Sequence, residues 1–184
     1  AAGDVLVQTE LANTMRLIRD KGRAGFYEGE VAEFIEAEMK RGGGLISKVD
    51  LKNYHAAWRK PIEGNYKGYK VITMPPTSSG GIALVQMLQS VANYPLSKWG
   101  FNADSTIQVM VEAERRVYAD RAKHLGDPDF WKVPQKELLE PAYNKNRMAN
   151  LNWDKATPSS EIQAGEFARK ESEETTHFSV VDKD

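Results

Sequence analysis

The sequence predicts a mainly helical α+β protein that contains a β-hairpin and ends on a further strand. Apolar residues recur at helical spacing in several segments between positions 11 and 150. Residues 62–74 instead alternate on either side of the turn candidate Lys67-Gly68, which is typical of a hairpin. Alternation returns over residues 175–182 and predicts the final strand.

Three helices in the first half of the chain follow from apolar spacing. They carry Leu11, Met15 and Ile18; Val31, Phe34, Ile35 and Met39; and Ile82, Val85, Leu88 and Ala92. Gly22 and the glycine run 42–44 are the expected stops of the first two. Ser47 and Asp50 have the spacing of a capping signal, which predicts a brief helix over residues 51–54. The Pro- and Gly-rich stretch 75–81 is expected to be a loop.

The longest predicted helix covers residues 105–125, with Asp104 or Ser105 as its cap and Gly126-Asp127-Pro128 as its end. Its expected stripe consists of Ile107, Met110, Val111, Glu114, Val117 and Arg121. A weaker helix is predicted over residues 135–150. Residues 154–172 are polar, and we expect an extended, mobile connector there.

Composition restricts the class of protein. The chain has 184 residues, of which 41% are hydrophobic and 28% charged, and its net charge is -1. These values are typical of a soluble globular protein, and mixed charges disfavour nucleic acid or an anionic membrane as a partner. Without cysteine there is no disulfide framework and no thiolate metal site. The apolar runs are shorter than the roughly 20 residues that a membrane span needs.

A few residues are candidates for chemistry by type and spacing. Asp120 and His124 lie four apart on a helix, where both could face one metal ion. With no third ligand apparent, a solvated pair is the favoured interpretation. His55 lies among Tyr54, Ala56 and Trp58 and is interpreted as a packing or surface residue.

The sequence Ser78-Ser79-Gly80-Gly81 before a helix could hold an anion through its backbone N–H groups. It has no lysine of the phosphate-binding type, so a structural turn is favoured. Met87 and Met110 are assigned to apolar helical faces in the core.

Thr175-Thr176-His177 is the remaining candidate. Two threonines at the start of a strand are ordinary β-forming residues. However, a polar linker precedes them, and Thr175 would be the first residue of its strand. An N-terminal nucleophile needs this arrangement: a hydroxyl residue whose amino group is freed by a cut.

Several motifs, in order along the chain, closely resemble the gamma-glutamyltranspeptidases. They are Gly25-Phe26-Tyr27-Glu28-Gly29, Gly64-Asn65-Tyr66-Lys67-Gly68-Tyr69, Met74-Pro75-Pro76-Thr77-Ser78-Ser79-Gly80-Gly81-Ile82, Tyr118-Ala119-Asp120-Arg121, Leu125-Gly126-Asp127-Pro128-Asp129-Phe130, and Glu171-Ser172-Glu173-Glu174-Thr175-Thr176-His177-Phe178-Ser179-Val180-Val181-Asp182. Thr77 stands where the family is expected to have a third proline.

The resemblance implies a precursor with the αββα fold of N-terminal-nucleophile hydrolases, in which helices enclose two sheets. Self-cleavage at Glu174–Thr175 would place residues 1–174 in the C-terminal part of a heavy chain and begin the light chain at residues 175–184. Thr175 would then attack glutathione or another gamma-glutamyl donor, with an amino acid or peptide as acceptor. No cofactor and no metal is implied.

The resemblance also places the oxyanion glycines and the groups that bind the glutamyl moiety elsewhere in the heavy and light chains. We therefore expect the chain alone to be inactive and uncut at Glu174–Thr175. A periplasmic or secreted location is expected from the family. Two alternatives stay open at this point: a cephalosporin-type acylase or poly-gamma-glutamate-cleaving relative, and a non-catalytic helical module.

Overall fold

The computed structural model of the chain describes residues 3–167. These residues belong to two compact units, one reaching to Trp58 and the other starting at Arg59. Within them, no helix combines the length and the apolar character that crossing a membrane requires. The strand predicted over residues 175–182 lies outside the described residues.

The first unit contains helices α1 (Thr9–Lys21), α2 (Ala24–Tyr27), α3 (Gly29–Gly42) and α4 (Lys48–Asn53). The predicted stops are confirmed, because Gly22 directly follows α1 and Gly43 directly follows α3. The backbone of Gly43 has the left-handed conformation that is common at the end of a helix. Ser47 and Asp50 form a complete capping box. Helix α4 consequently starts directly after Ser47, three residues earlier than predicted.

The second unit opens with the predicted hairpin. Strands β1 (Ile62–Tyr66) and β2 (Tyr69–Thr73) are antiparallel. Lys67 and Gly68 join them with φ angles of 49° and 87°. Two consecutive positive φ angles are the signature of the tight turn that fits the twist of a hairpin. The predicted hairpin and its turn are therefore confirmed.

The helices described after the hairpin are α5 (Gly80–Val91), α6 (Leu96–Trp99), α7 (Asp104–His124), α8 (Gln135–Leu138) and α9 (Pro141–Arg147), followed by a 3-10 turn over Ser159–Glu161. Helix α5 packs against the hairpin, α7 and α9. It contributes to two buried apolar clusters, one formed by Ile62, Ile82, Val85 and Leu138 and the other by Val91, Val109, Ala113 and Met148. The core of this unit therefore surrounds α5.

Helix boundaries in this unit differ from prediction where proline or a cap is involved. The predicted helix over residues 135–150 is divided into α8 and α9, because Pro141 lacks the N–H that a continuous helix needs and instead starts α9. Ala103 occupies the N-cap of α7, and no side chain caps it, so the prediction of Asp104 or Ser105 as cap is wrong. Helix α5 starts at Gly80, inside the predicted loop.

The buried face of α7 differs from the predicted stripe. Ile107, Met110 and Val111 are 47%, 46% and 43% exposed, so the core assignment of Met110 is wrong. Val117 alone of the predicted stripe is buried. The buried face consists of Val109, Glu112, Ala113, Arg116, Val117, Asp120 and His124. Polar residues can be buried on this face because residues from other parts of the chain form hydrogen bonds with them. Helical periodicity cannot reveal such partners.

Gly81 should be essential for the approach of the loop to α5. A Cβ atom at this position would overlap the carbonyl oxygen of Met74. We expect Gly81→Ala to lower the free energy of unfolding by about 3 kcal/mol, the upper range for overpacking. Gly80→Ala is the matched control, because its Cβ would meet only Ser78 Oγ at 3.5 Å. Equal thermal unfolding of the two variants would contradict this account.

Candidate functional site

Helix α7 buries four polar side chains at intervals of four residues. Glu112, Arg116, Asp120 and His124 are each at most 6% exposed. Residues four apart lie on the same helix face. Because burying a charge is costly unless it is paired and hydrogen-bonded, the partners of these groups determine what the face can do.

Glu112 is paired on both carboxylate oxygens. Oε1 accepts a hydrogen bond from the backbone N–H of Thr157 at 2.7 Å, and Oε2 pairs with Arg116. Arg116 in turn donates to Asn150 Oδ1 at 2.8 Å. Burial raises the pKa of Glu112, but the hydrogen bonds from Arg116 and Thr157 outweigh it and hold that pKa below its usual range. Glu112 is therefore an ionised, fully engaged side chain at neutral pH.

Asp120 accepts three hydrogen bonds and forms one ion pair. Oδ1 lies 2.8 Å from the backbone nitrogen of Gly165 and 3.1 Å from Arg147 Nη2. Oδ2 accepts from the Tyr143 hydroxyl at 2.7 Å and from Gln86 Nε2 at 3.2 Å. Burial raises the pKa of Tyr143, and its hydrogen bond to Asp120 raises it further. The carboxylate thus connects α5, α9 and the chain that follows α9.

His124 contacts the same glycine from its other side. Its Nε2 lies 2.7 Å from the carbonyl oxygen of Gly165. A carbonyl oxygen can only accept, so Nε2 carries a proton in this contact. A Cβ atom at Gly165 would overlap the Tyr143 hydroxyl. We call Asp120, His124 and Tyr143, which enclose Gly165, the Gly165 clamp.

The chain that follows α9 lies along α7 for several turns, and we call residues 152–167 the strap. The contacts between α7 and the strap follow the same order along both segments. They join Gln108 to Asn152, Glu112 to Thr157, Arg115 to Ser159, Asp120 to Gly165 and Lys123 to Glu166. Arg147 of α9 also donates to the Gln163 carbonyl at 2.7 Å. The strap is thus held mainly through its backbone.

These contacts change the interpretation of the predicted connector. The strap has little regular secondary structure, as predicted, but it is anchored along α7. The prediction of a mobile connector is therefore wrong for residues 154–167. Residues 168–172 lie outside the described residues.

The predicted solvated pair of Asp120 and His124 is wrong as well, since both side chains are buried. Asp120 Oδ1 and His124 Nε2 both contact Gly165 of the strap. Across residues 3–167, no group of three His, Cys, Asp or Glu side chains is arranged to hold a metal ion. A sequence signal did exist, because Glu112, Arg116, Asp120 and His124 share one face with Val109, Ala113 and Val117.

The other sequence candidates lie outside the polar face of α7. His55 is exposed, as predicted for a surface residue. Ser78 Oγ accepts the N–H of Gly80 at 3.3 Å, and Ser79 Oγ accepts from Arg121 Nε at 2.8 Å. The polar groups of this loop are thus used within the protein, which supports a structural turn. Met87 is half-buried on α5.

Glu174 and Thr175, the residues that the resemblance singles out, lie outside the described residues. The strap leads toward them in sequence, with Phe167 seven residues before Glu174. The rings of His124 and Tyr143 hold Phe167, at centroid distances of 4.8 and 4.9 Å. The described site is therefore the anchorage of the chain segment that precedes the predicted junction.

The sequence model of the gamma-glutamyltranspeptidases matches residues 1–184. The chain belongs to the gamma-glutamyltranspeptidase family. The glutathione hydrolase proenzyme of Escherichia coli K12 is 50% identical over 99% of this chain, which covers 31% of that protein. The crystal structure of Helicobacter pylori gamma-glutamyltranspeptidase has a TM-score of 0.82 and 45% identity, covering 93% of this chain and 49% of that one.

Relatives with other names also match the chain. The Acylase ACY 1 proenzyme of Pseudomonas sp. SE83 is 36% identical over 96% of this chain, which covers 31% of it. The chain thus spans about a third of the length of these curated relatives. The structural likeness to the Helicobacter protein confirms the predicted fold class, a mainly helical α+β chain with a small sheet.

The ionised state of Glu112 should make stability depend on pH. Because its pKa is lowered on folding, its contribution is complete above pH 4.5, the ordinary value, and is lost as pH falls through the folded-state value. We expect Glu112→Gln to cost about 3 kcal/mol at pH 7 by breaking a buried pair. The difference in the free energy of unfolding between this variant and wild type should shrink as pH falls from 5 to 3, because the ionised form of Glu112 is then lost. Thermal unfolding at several pH values in this range measures it.

The control for this prediction is Glu63→Gln. Glu63 pairs with Lys70 at 3.0 Å on the exposed hairpin, and such a pair contributes less than about 1 kcal/mol. A difference between Glu112→Gln and wild type that stays constant across this pH range would contradict the assignment of Glu112.

Proposed function

We propose that the full-length protein transfers or hydrolyses gamma-glutamyl groups, with the hydroxyl of Thr175 as nucleophile. The observation that carries the proposal is the family match over all of residues 1–184, which includes the Glu174-Thr175 junction. The name proenzyme, given to the Escherichia coli and other relatives, supports a maturation cut. In this proposal, residues 1–174 belong to the heavy chain and residues 175–184 begin the light chain.

Self-cleavage begins when Thr175 Oγ attacks the carbonyl carbon of Glu174. The C–N bond between the two residues breaks, the threonine nitrogen gains a proton, and an ester joins Glu174 to Thr175 Oγ. Water then hydrolyses the ester, leaving a carboxylate on Glu174 and a free amino group and hydroxyl on Thr175. An oxygen nucleophile with an adjacent amine is the arrangement found in N-terminal-nucleophile catalysis.

In turnover, the freed hydroxyl attacks the gamma-carbonyl carbon of the donor, glutathione or a related compound. The amine of the donor leaves with a proton, and a gamma-glutamyl ester of Thr175 remains. The amino group of Thr175 serves as general base, since an α-amino group has a pKa of about 8. Water completes hydrolysis, whereas the amine of an amino acid or peptide completes transfer.

An acylase is the second candidate, favoured by the 36% identity to ACY 1 acylase. A matched pair of substrates separates the two functions, because glutaryl anilide differs from gamma-glutamyl anilide only in lacking the α-amino group. We expect faster release of aniline from the gamma-glutamyl compound. Faster release from the glutaryl compound would instead support the acylase.

We also propose that the full-length protein is exported to the periplasm or the medium. The proposal is supported by family resemblance, since bacterial gamma-glutamyltranspeptidases are expected to be exported. Fractionation of cells that express the full-length protein tests it, and activity confined to the cytosol would contradict it.

Replacement of Thr175 should abolish both cleavage and activity. In full-length Thr175→Ala the hydroxyl that attacks Glu174 is missing, so we expect one uncut chain and no hydrolysis of gamma-glutamyl anilide. Intact mass and N-terminal sequencing provide the measurement, and the wild type should yield a new chain that starts at Thr175. The drop in kcat/KM should exceed about a thousandfold, as expected when a nucleophile is removed.

Thr176→Ala is the matched control, because it removes a threonine hydroxyl one residue further on. We expect this variant to be cut at Glu174–Thr175 and to keep activity. An uncut but active wild type would contradict the proposed nucleophile. Cleavage of Thr175→Ala at the same bond would contradict it too.

A further inference from the structure

We propose that the Gly165 clamp sets the register of the strap for self-cleavage at Glu174–Thr175, with Asp120 and His124 as positioning residues. The inference rests on the proposed function, since it assumes that this bond is cut. It assigns a role in maturation to residues of α7 that belong neither to the cleaved bond nor to the nucleophile, but to the helix along which the strap lies.

The clamp holds both backbone polar groups of one residue. The N–H of Gly165 donates to Asp120 at 2.8 Å, and its carbonyl accepts from His124 at 2.7 Å. The orientation of this residue is thereby fixed from two sides. Both partners belong to α7, four residues apart, so one rigid helix defines where Gly165 lies.

Only glycine fits in the clamp. A Cβ atom at position 165 would overlap the Tyr143 hydroxyl. The neighbours Ala164 and Glu166 both carry a Cβ atom, so the strap cannot slip by one residue without a clash. The clamp therefore selects one register of the chain, which hydrogen bonds to the backbone alone would not do.

The proposed cut lies a short distance along the chain from the clamp. Phe167 is held between the rings of His124 and Tyr143, and Glu174 follows seven residues later. Seven residues span at most about 25 Å, and a slip of one residue moves the chain by up to about 3.5 Å. An attack at a distance of about 3 Å tolerates far less, since a misplacement of about 1 Å can cost 100-fold in rate.

The clamp should affect maturation more than turnover. Gly165 lies on the N-terminal side of the proposed cut, so cleavage removes its covalent connection to Thr175. Before the cut, an error in the register of the strap is carried along the chain to the bond that must be attacked. After the cut, the same error has no covalent path to the nucleophile.

The experiment follows self-cleavage of the purified full-length precursor over time. We expect Asp120→Asn and Gly165→Ala to lower the first-order rate constant about tenfold or more, by misplacing the scissile bond. Once fully cleaved, each variant should hydrolyse gamma-glutamyl anilide with kcat and KM within about twofold of wild type. His124→Gln, whose side-chain N–H can reach the same carbonyl, should cleave faster than His124→Leu.

Val109→Ala controls for lost stability. Val109 is a buried α7 residue in the apolar cluster with Val91, Ala113 and Met148, and its truncation should lower the melting temperature without changing the clamp. We expect it to cleave at the wild-type rate. If the Gly165→Ala precursor does not fold, the Asp120 and His124 variants decide the matter.

The outcomes separate this inference from the function on which it rests. A wild type that is not cut at Glu174–Thr175 overturns the proposed function. A wild type that is cut, with clamp variants that are cut equally fast, overturns only the role of the clamp. Slow cleavage of Val109→Ala, in proportion to its lost stability, would also overturn that role, since stability alone would then explain the effect.

Discussion

The two carboxylates buried on α7 need hydrogen-bond donors, and much of the second unit is arranged to supply them. Leaving one partner of a buried ion pair unmatched costs several kcal/mol. Asp120 receives donors from α5, α9 and the strap, and Glu112 receives the amide of Thr157. Because backbone N–H groups supply part of this requirement, the path of the strap is fixed with little demand on its side chains.

This arrangement links packing to the proposed chemistry. The contacts of α7 with the strap advance in the same order along both segments, from Gln108 with Asn152 to Lys123 with Glu166. Helix α7, which rises about 1.5 Å per residue, supports the strap along its length. A self-cleaving precursor needs one peptide bond to be presented accurately, and a rigid support on its N-terminal side meets part of that need.

Locally encoded features could be predicted from the sequence. The hairpin followed from alternation around Lys67-Gly68, and the capping box from Ser47 and Asp50, because these signals involve neighbouring residues. Helical spacing places Glu112 and Asp120 on one face with apolar residues, but it could not reveal their partners Thr157 and Gly165, which lie 45 residues further along the chain. The predicted mobile connector is wrong over residues 154–167 for the same reason, because the polar side chains of the strap conceal contacts made by its backbone. Thr175 is predicted as the nucleophile from its place after a polar linker and from the family resemblance, because its residue type alone is that of an ordinary strand residue.

The most direct test of this account is the exchange of the Gly165 amide hydrogen with solvent. It should be measured with residue resolution in the uncut full-length Thr175→Ala protein, with and without Asp120→Asn. A hydrogen bond to a buried carboxylate predicts slow exchange with Asp120 present and exchange about 100-fold faster in the Asn variant. Exchange at the rate of an unstructured peptide with Asp120 present would contradict the central claim that buried carboxylates of α7 hold the strap.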